Sequence, residues 1–112
     1  MTATALSHFA SRPAKRATLL LGVRDRAGHG SLMVELLRRA KRAKLAGATA
    51  FEAQQGFGAS GRIHRTHLLS EDAPIAVVLI DRAERIEAFL DEVADLLDDV
   101  LVTTDEIDIV EL

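Results

Sequence analysis

Three glycines, two arginines and two histidines fall within one stretch, Gly56-Phe57-Gly58-Ala59-Ser60-Gly61-Arg62-Ile63-His64-Arg65-Thr66-His67. Glycine lets a ligand approach the backbone closely, and successive exposed N–H groups form a concave donor array. Guanidinium and imidazolium groups add charge-assisted hydrogen bonds to phosphate or carboxylate. The chemistry this composition offers is capture of a small anion by Gly58, Ser60, Gly61, Arg62, His64 and Arg65, with Gly56 and Phe57 at the entry to the loop. The competing reading is a solvated basic loop with no ligand, because charge on a loop is common.

Other constellations are weaker. His64 and His67 have a spacing that can put two imidazoles on one ion, yet on an extended segment residues three apart point to opposite faces and no third ligand is near. No metal site is assigned within one chain, although a symmetry axis between copies could bring several rings together. His29 lies between Gly28 and Gly30 beside the start of a helix and is read as a turn residue. The acidic pairs Glu71-Asp72, Asp98-Asp99 and Asp105-Glu106 sit at element ends, and nothing places a nucleophile beside a positioned base. Ser60 is in neither a Gly-x-Ser-x-Gly elbow nor a Gly-x-x-x-x-Gly-Lys phosphate loop. The chain is therefore expected not to be an enzyme, with acylphosphatase-type chemistry kept as a weaker alternative because small ferredoxin-like folds include such enzymes.

The elements that position these residues must come from a single domain. The chain has 112 residues, 48% of them hydrophobic, with a formal charge of −3 and no cysteine. Basic function must then be local, and neither disulfides nor thiolate metal sites are available. No apolar run reaches the ~20 residues of a membrane span. Residues 1–16 lack the apolar core of a signal peptide and are expected to be a flexible extension to a domain at 17–112; a cytoplasmic protein is expected.

Ala17–Val23 predicts a buried strand and 24–30 a turn, with Ser31 as N-cap of a helix that turns Leu32, Met33, Leu36, Leu37, Ala40 and Ala43 inward. Gly47 is expected at the left-handed position that ends this helix. Ala48–Gln55 predicts a second strand. Thr66–Leu69 with Ile75–Asp81 predicts a third, entered at Pro74. A second helix carries Ile86, Phe89, Leu90, Val93, Leu96 and Leu97 on one stripe, with Asp81 as its expected N-cap. Val100–Thr103 and Ile107–Ile109 predict a last strand, broken near Asp105-Glu106. The order βαββαβ gives an α+β, ferredoxin-like sandwich: a four-stranded antiparallel sheet with two helices on one face. Its other face holds apolar residues that oligomerisation would cover.

The loop Gly56-Phe57-Gly58 leading to Arg62-Ile63-His64, with Gly47-Ala48-Thr49 before it and Ser70-Glu71-Asp72-Ala73-Pro74-Ile75 and Ile86-Glu87-Ala88-Phe89-Leu90 after it, resembles the domain of unknown function 190 family of PII-like proteins. The resemblance covers Ala17 to Leu112. It implies a homotrimer, adenine-nucleotide clefts between subunits, a mobile loop (the T-loop) that touches a target protein, and an association with a fluoride-exporter type of membrane transport protein. Gly56, Phe57 and Gly58 match the Gly-Phe-Gly that opens the T-loop in PII proteins. Ala59-Ser60 stands where those usually have Arg-Gln, which puts sensing of 2-oxoglutarate in doubt. Leu97-Asp98-Asp99-Val100 replaces their phosphate-gripping loop with acidic residues.

The expectation is a regulatory trimer that binds a small anionic ligand, an adenine nucleotide or a nucleotide monophosphate among the candidates, and relays its state through Gly56–Leu69. The alternative is an adaptor trimer with no small-molecule ligand. Nucleic acid is not expected as a partner. The first helix does gather Arg38, Arg39, Lys41, Arg42 and Lys44, but the chain lacks Tyr and Trp and offers Phe51 alone as a strand aromatic for base stacking.

Overall fold

The computed structural model describes residues 9–53, 55–57, 63–65 and 73–112. Four long strands form one antiparallel sheet: β1 (Ala10–Gly22), β4 (Gly47–Glu52), β7 (Pro74–Asp81) and β8 (Leu101–Glu111), in the spatial order β4-β7-β1-β8. Two short hairpins, β2 (Arg26–Ala27) with β3 (Gly30–Ser31) and β5 (Gln55–Phe57) with β6 (Ile63–Arg65), interrupt the connections. Helix α1 (Leu32–Arg42) follows β3, and helix α2 (Ala83–Val93) follows β7 and tightens into a 3-10 turn at Ala94–Leu96. The ferredoxin-like sandwich expected from the order of elements is the observed fold.

Alternation along the strands explains the layering. Ala17, Leu19 and Leu21 of β1 and Ile75, Val77 and Leu79 of β7 point to one face, where they join Leu32, Leu36 and Ala40 of α1 and Ile86, Phe89 and Val93 of α2 in a single buried core. Both helices therefore pack on that face. The other face carries Leu20, Val78 and Ile80, half-buried, and Phe51 and Leu101, which are 55% and 40% exposed.

Several local expectations are corrected. The first strand begins at Ala10, not Ala17, so residues 10–16, expected within an extension, form the first half of β1. They pair with β8 in a register that runs from Ala10↔Glu111 to Leu20↔Leu101, whereas pairing with β7 starts only at Lys15↔Asp81. Beyond that point β1 has a neighbour on one side only, which is where a strand tolerates proline, and Pro13 sits there. The hydrophobic pattern fades in this ribbon, and cross-strand charge takes its place: Arg16 donates two hydrogen bonds to Asp105, at 3.1 and 2.7 Å, and Arg12 lies 3.7 Å from Glu111. The same pairing carries β8 unbroken through Asp105-Glu106, where the sequence predicts an interruption.

Ser31 caps α1 as expected, its hydroxyl accepting from the Val34 N–H at 3.3 Å. The left-handed residue after that helix is Lys44, at φ 60°, rather than Gly47. Lys44 N–H donates to Lys41 O and Leu45 N–H to Ala40 O, the paired bonds of a Schellman turn. Gly47 is instead the first residue of β4. That strand ends at Glu52 rather than Gln55. The approach expected at Thr66–Leu69 lies outside the described residues, and the third long strand starts at Pro74.

Asp81 does not cap α2: Arg82 holds the N-cap position with no side-chain bond, and Asp81 is the last residue of β7. Its carboxylate, 5% exposed, accepts from Arg82 N–H at 2.6 Å, Ala46 N–H at 2.9 Å and Arg85 Nε at 3.0 Å. Arg85 in turn donates to the carbonyls of Ala43 and Lys44 at 2.6 and 2.9 Å, satisfying the C-terminus of α1. Burial pushes the Asp81 carboxyl up, but the three donors together hold it below the ordinary aspartate value.

Candidate functional site

The segment singled out by composition forms a hairpin between β4 and β7. Backbone pairing sets Gln55 opposite Arg65, Gly56 opposite His64 and Phe57 opposite Ile63. Four expected site residues, Gly56, Phe57, His64 and Arg65, therefore lie on its two paired strands. Gly58, Ser60, Gly61 and Arg62 belong to the connection between these strands and lie outside the described residues, as do His67 and the Ser70-Glu71-Asp72 step. The sequence predicts a loop here. Three-residue strands either side of a glycine-rich turn carry too short a pattern to be read as a ladder.

The hairpin's root is fixed to the sheet. Ala53 N–H donates to Pro74 O at 2.9 Å and Val23 N–H to Ala73 O at 2.7 Å. These bonds lie at the end of the sheet where β1 finishes, because Gly22 pairs with Pro74 and Glu52 with Ile75. The β2–β3 turn follows directly, and β8 begins at the same end, since Leu101 pairs with Leu20. Three connections thus converge: the β4–β7 hairpin, the β1–α1 turn and the turn after α2.

A cleft of about 270 Å³ lies between the last two, lined by Arg26, Gly28, Asp95, Asp98 and Asp99 among others. Gly28 takes φ +65°, which opens the β2–β3 turn, and Arg26 donates to the carbonyl of His29. His29 is an exposed turn residue, as expected. Asp25 closes the end of β1, its Oδ2 accepting from Gly22 N–H at 2.9 Å. Sequence reasoning assigned Asp25 and Arg26 no role; a turn residue whose partner is the strand before it leaves no periodic signal. The acidic lining from Asp95, Asp98 and Asp99 was legible, and it makes this cleft a poor cradle for several phosphates without a cation.

A larger cavity of about 640 Å³ opens at the opposite end, between the N-terminus of α2 and the β1–β8 ribbon, lined by Pro13, Arg82, Glu84, Glu106 and Asp108 among others. It is far from the hairpin along the strands, and none of the expected site residues borders it. No group of three metal-ligating side chains occurs among the described residues. Of the basic residues of α1, Arg38 and Arg39 pair with Glu35 at 2.6 and 2.8 Å. The Glu35 carboxyl is held down chiefly by the hydrogen bond from Arg39.

A hairpin is thus inserted between the second and third long strands. The model of the family domain of unknown function 190, described as an uncharacterized ACR, matches residues 14–109. The chain belongs to this family. A UPF0166 protein of Aquifex aeolicus (strain VF5) is 42% identical to the DUF190 chain over 60 residues, covering 52% of this chain and 57% of that relative's length. The chain thus spans little more than half of the curated relative it matches.

Among solved structures, CPII of Thiomonas intermedia K12, a nitrogen regulatory PII-like protein bound to ADP, AMP and bicarbonate, superposes with a TM-score of 0.67 at 21% identity, covering 91% of this chain and 92% of that one. A candidate PII-like signalling protein of Thermus thermophilus gives a TM-score of 0.59 at 18% identity, with 89% and 91% covered. The DUF190 chain therefore has the PII-like fold. No helix among its described residues is long and apolar enough to cross a membrane.

Proposed function

We propose that this DUF190 chain is a regulatory protein of PII type: a cytoplasmic homotrimer that binds a small anionic ligand, an adenine nucleotide, in clefts between subunits and relays its state to a partner protein through the Gly56–Leu69 segment. The observation that carries this reading is the β5–β6 hairpin, which sets Gly56 opposite His64 and leaves a glycine- and arginine-bearing connection between its strands. Support comes from CPII, a structure of the same fold bound to ADP, AMP and bicarbonate. Its bicarbonate is itself a small anion of the kind that Arg62, Arg65 and the backbone of Gly58 to Gly61 are suited to hold. Ligand binding would order the segment and change the surface a partner engages. That partner is proposed to be a membrane transport protein of the fluoride-exporter type, on the family resemblance.

A thermal-shift series with ADP, AMP, ATP, bicarbonate and acetate tests the reading, because a ligand selective for the folded state must raise the Tm. A selective rise with an adenine nucleotide that disappears in the Arg62→Ala, Arg65→Ala double variant is expected. The same rise in the variant would remove these arginines from the site. One observation favours a second reading: the turn after α2 lines its cleft with Asp95, Asp98 and Asp99, which repel a polyphosphate. If no compound shifts the Tm, the trimer is an adaptor whose hairpin binds its partner without a small molecule.

A further inference from the structure

The turn that follows α2 carries more negative charge than the fold can use. Asp95, Asp98 and Asp99 stand in or just after the 3-10 turn that ends α2, and the last turn of the helix has no basic residue. The carbonyl end of a helix is the negative end of its dipole, so carboxylates there oppose helix stability. All three are exposed and make no side-chain hydrogen bond or ion pair among the described residues. Asp25 in the facing β1–α1 turn differs, because it accepts from Gly22 N–H at 2.9 Å and closes β1. Folding accounts for Asp25 and leaves the other three without a structural purpose. A local rule broken with no structural gain points to function.

The cleft they line narrows what that function is. Among the described residues its wall holds four carboxylates and one cation, Arg26, whose guanidinium already donates to the carbonyl of His29. The cleft lies at the end of the sheet where the β5–β6 hairpin is rooted, since Leu101, just after this turn, pairs with Leu20 while Gly22 pairs with Pro74. A ligand held at the hairpin by one phosphate therefore meets this wall with any further phosphates it carries. Asp95, Asp98 and Asp99 do not converge on a point where one ion could be held, for no group of three metal-ligating side chains occurs among the described residues. What remains for them is repulsion.

We propose that the acidic turn after α2 is a charge filter that makes the ligand of this chain a nucleoside monophosphate and turns away the triphosphate. The inference rests on the proposed nucleotide site and names the class of nucleotide that site accepts. A phosphomonoester carries about two negative charges at neutral pH, and each further phosphate adds about one. One carboxylate and one phosphate charge about 7 Å apart in water weaken binding by about threefold, which salt near 0.15 M reduces to about 1.5-fold. Going from one phosphate to three sets two added charges against three carboxylates. Over these roughly six pairs the filter disfavours the triphosphate by about tenfold.

Isothermal titration calorimetry with AMP, ADP and ATP, all in EDTA, tests the filter on wild type and two variants. The cleft variant is Asp98→Asn, Asp99→Asn. The control, Asp91→Asn, Glu92→Gln, removes the same charge from exposed positions of α2 that do not line the cleft. Wild type is expected to bind AMP most tightly and ATP least. In the cleft variant the ratio of the ATP Kd to the AMP Kd is expected to fall by about fivefold, because about four of the six repulsive pairs are gone. AMP, whose phosphate stays at the hairpin, should change less than ATP. The control should keep the wild-type ratio. Without ligand, the cleft variant should melt no lower than wild type, since two carboxylates leave the negative end of a helix.

ATP bound by wild type as tightly as AMP, a ratio unchanged in the cleft variant, or the same change in the control overturns the filter and leaves nucleotide binding standing. A cleft variant that melts below wild type or does not fold assigns these carboxylates to the fold and overturns the filter as well. No binding of any of the three nucleotides to any of the three proteins overturns the proposed nucleotide site, and the filter with it.

Discussion

Two residues decide local energetics that composition does not suggest. Lys44 stands at the left-handed position of the α1 terminus, where any residue with a Cβ is strained by roughly 1–2 kcal/mol. Part of that strain is offset in the unfolded chain, where glycine has more freedom to lose. Lys44→Gly is therefore expected to stabilise the fold by about 0.5–1 kcal/mol, read as a higher midpoint in urea. Asp81 is the opposite case, a buried carboxylate with three donors, one from Ala46 before β4 and two from Arg82 and Arg85 at the start of α2. Asp81→Ala leaves the Ala46 N–H and the Arg85 guanidinium without their acceptor, at an expected cost of roughly 2–4 kcal/mol.

The Asp81 carboxyl also carries an acid dependence. Held below its ordinary value in the fold, it contributes stability that is present above the unfolded pKa and is lost as pH falls through the folded one. Asp105, depressed chiefly by its hydrogen bond from Arg16, acts in the same direction. Stability should thus decline below the ordinary aspartate value, about 4. The decline should be shallower in Asp81→Asn, which denaturant titrations at a series of pH values would measure.

At the scale of elements, α1 is held at one end by Ser31 and at the other by Arg85 from α2. Removing the first cap, with Ser31→Ala, is expected to cost about 1 kcal/mol. The inward stripe matters more. Phe89 of α2 is 2% exposed, and Phe89→Ala should destabilise by about 3–5 kcal/mol through lost burial and the cavity it leaves. Thermal or urea unfolding of the two variants ranks them, and the cap variant should unfold well after the core variant.

Both helices were legible because a period of 3.6 persists over eleven residues in each. The ends of the strands were not. Residues 10–16 and the middle of β8 are held by cross-strand partners about ninety positions away in the chain, such as Arg16 with Asp105, and no local window contains both.

For the whole molecule, the sheet face opposite the helices is apolar and only partly covered. Val78 and Ile80 on the central strand β7 and Leu20 on β1 are half-covered there, beside the more exposed Phe51 and Leu101. If copies assemble through these sheets, Val78→Lys should lower the assembled mass in light scattering while circular dichroism stays near that of the parent. A mass equal to the parent's would show that this face stays outside the assembly.

The sequence by itself determined the order of the long strands and helices, the ferredoxin-like sandwich, the inward stripes of both helices and the unusual composition of the hairpin segment. These follow from periodicity, punctuation by Gly and Pro, and composition, all of which are properties of neighbours along the chain. Tertiary structure alone decided that the first strand reaches back to Ala10, that Asp81 ties the turn before β4 to the start of α2 rather than capping a helix, and that Gly56 faces His64 across a ladder. It also decided that the acidic turn after α2 lies at the end of the sheet where the hairpin is rooted. Each of these depends on which distant residues the fold brings side by side, and that is set by strand order and register.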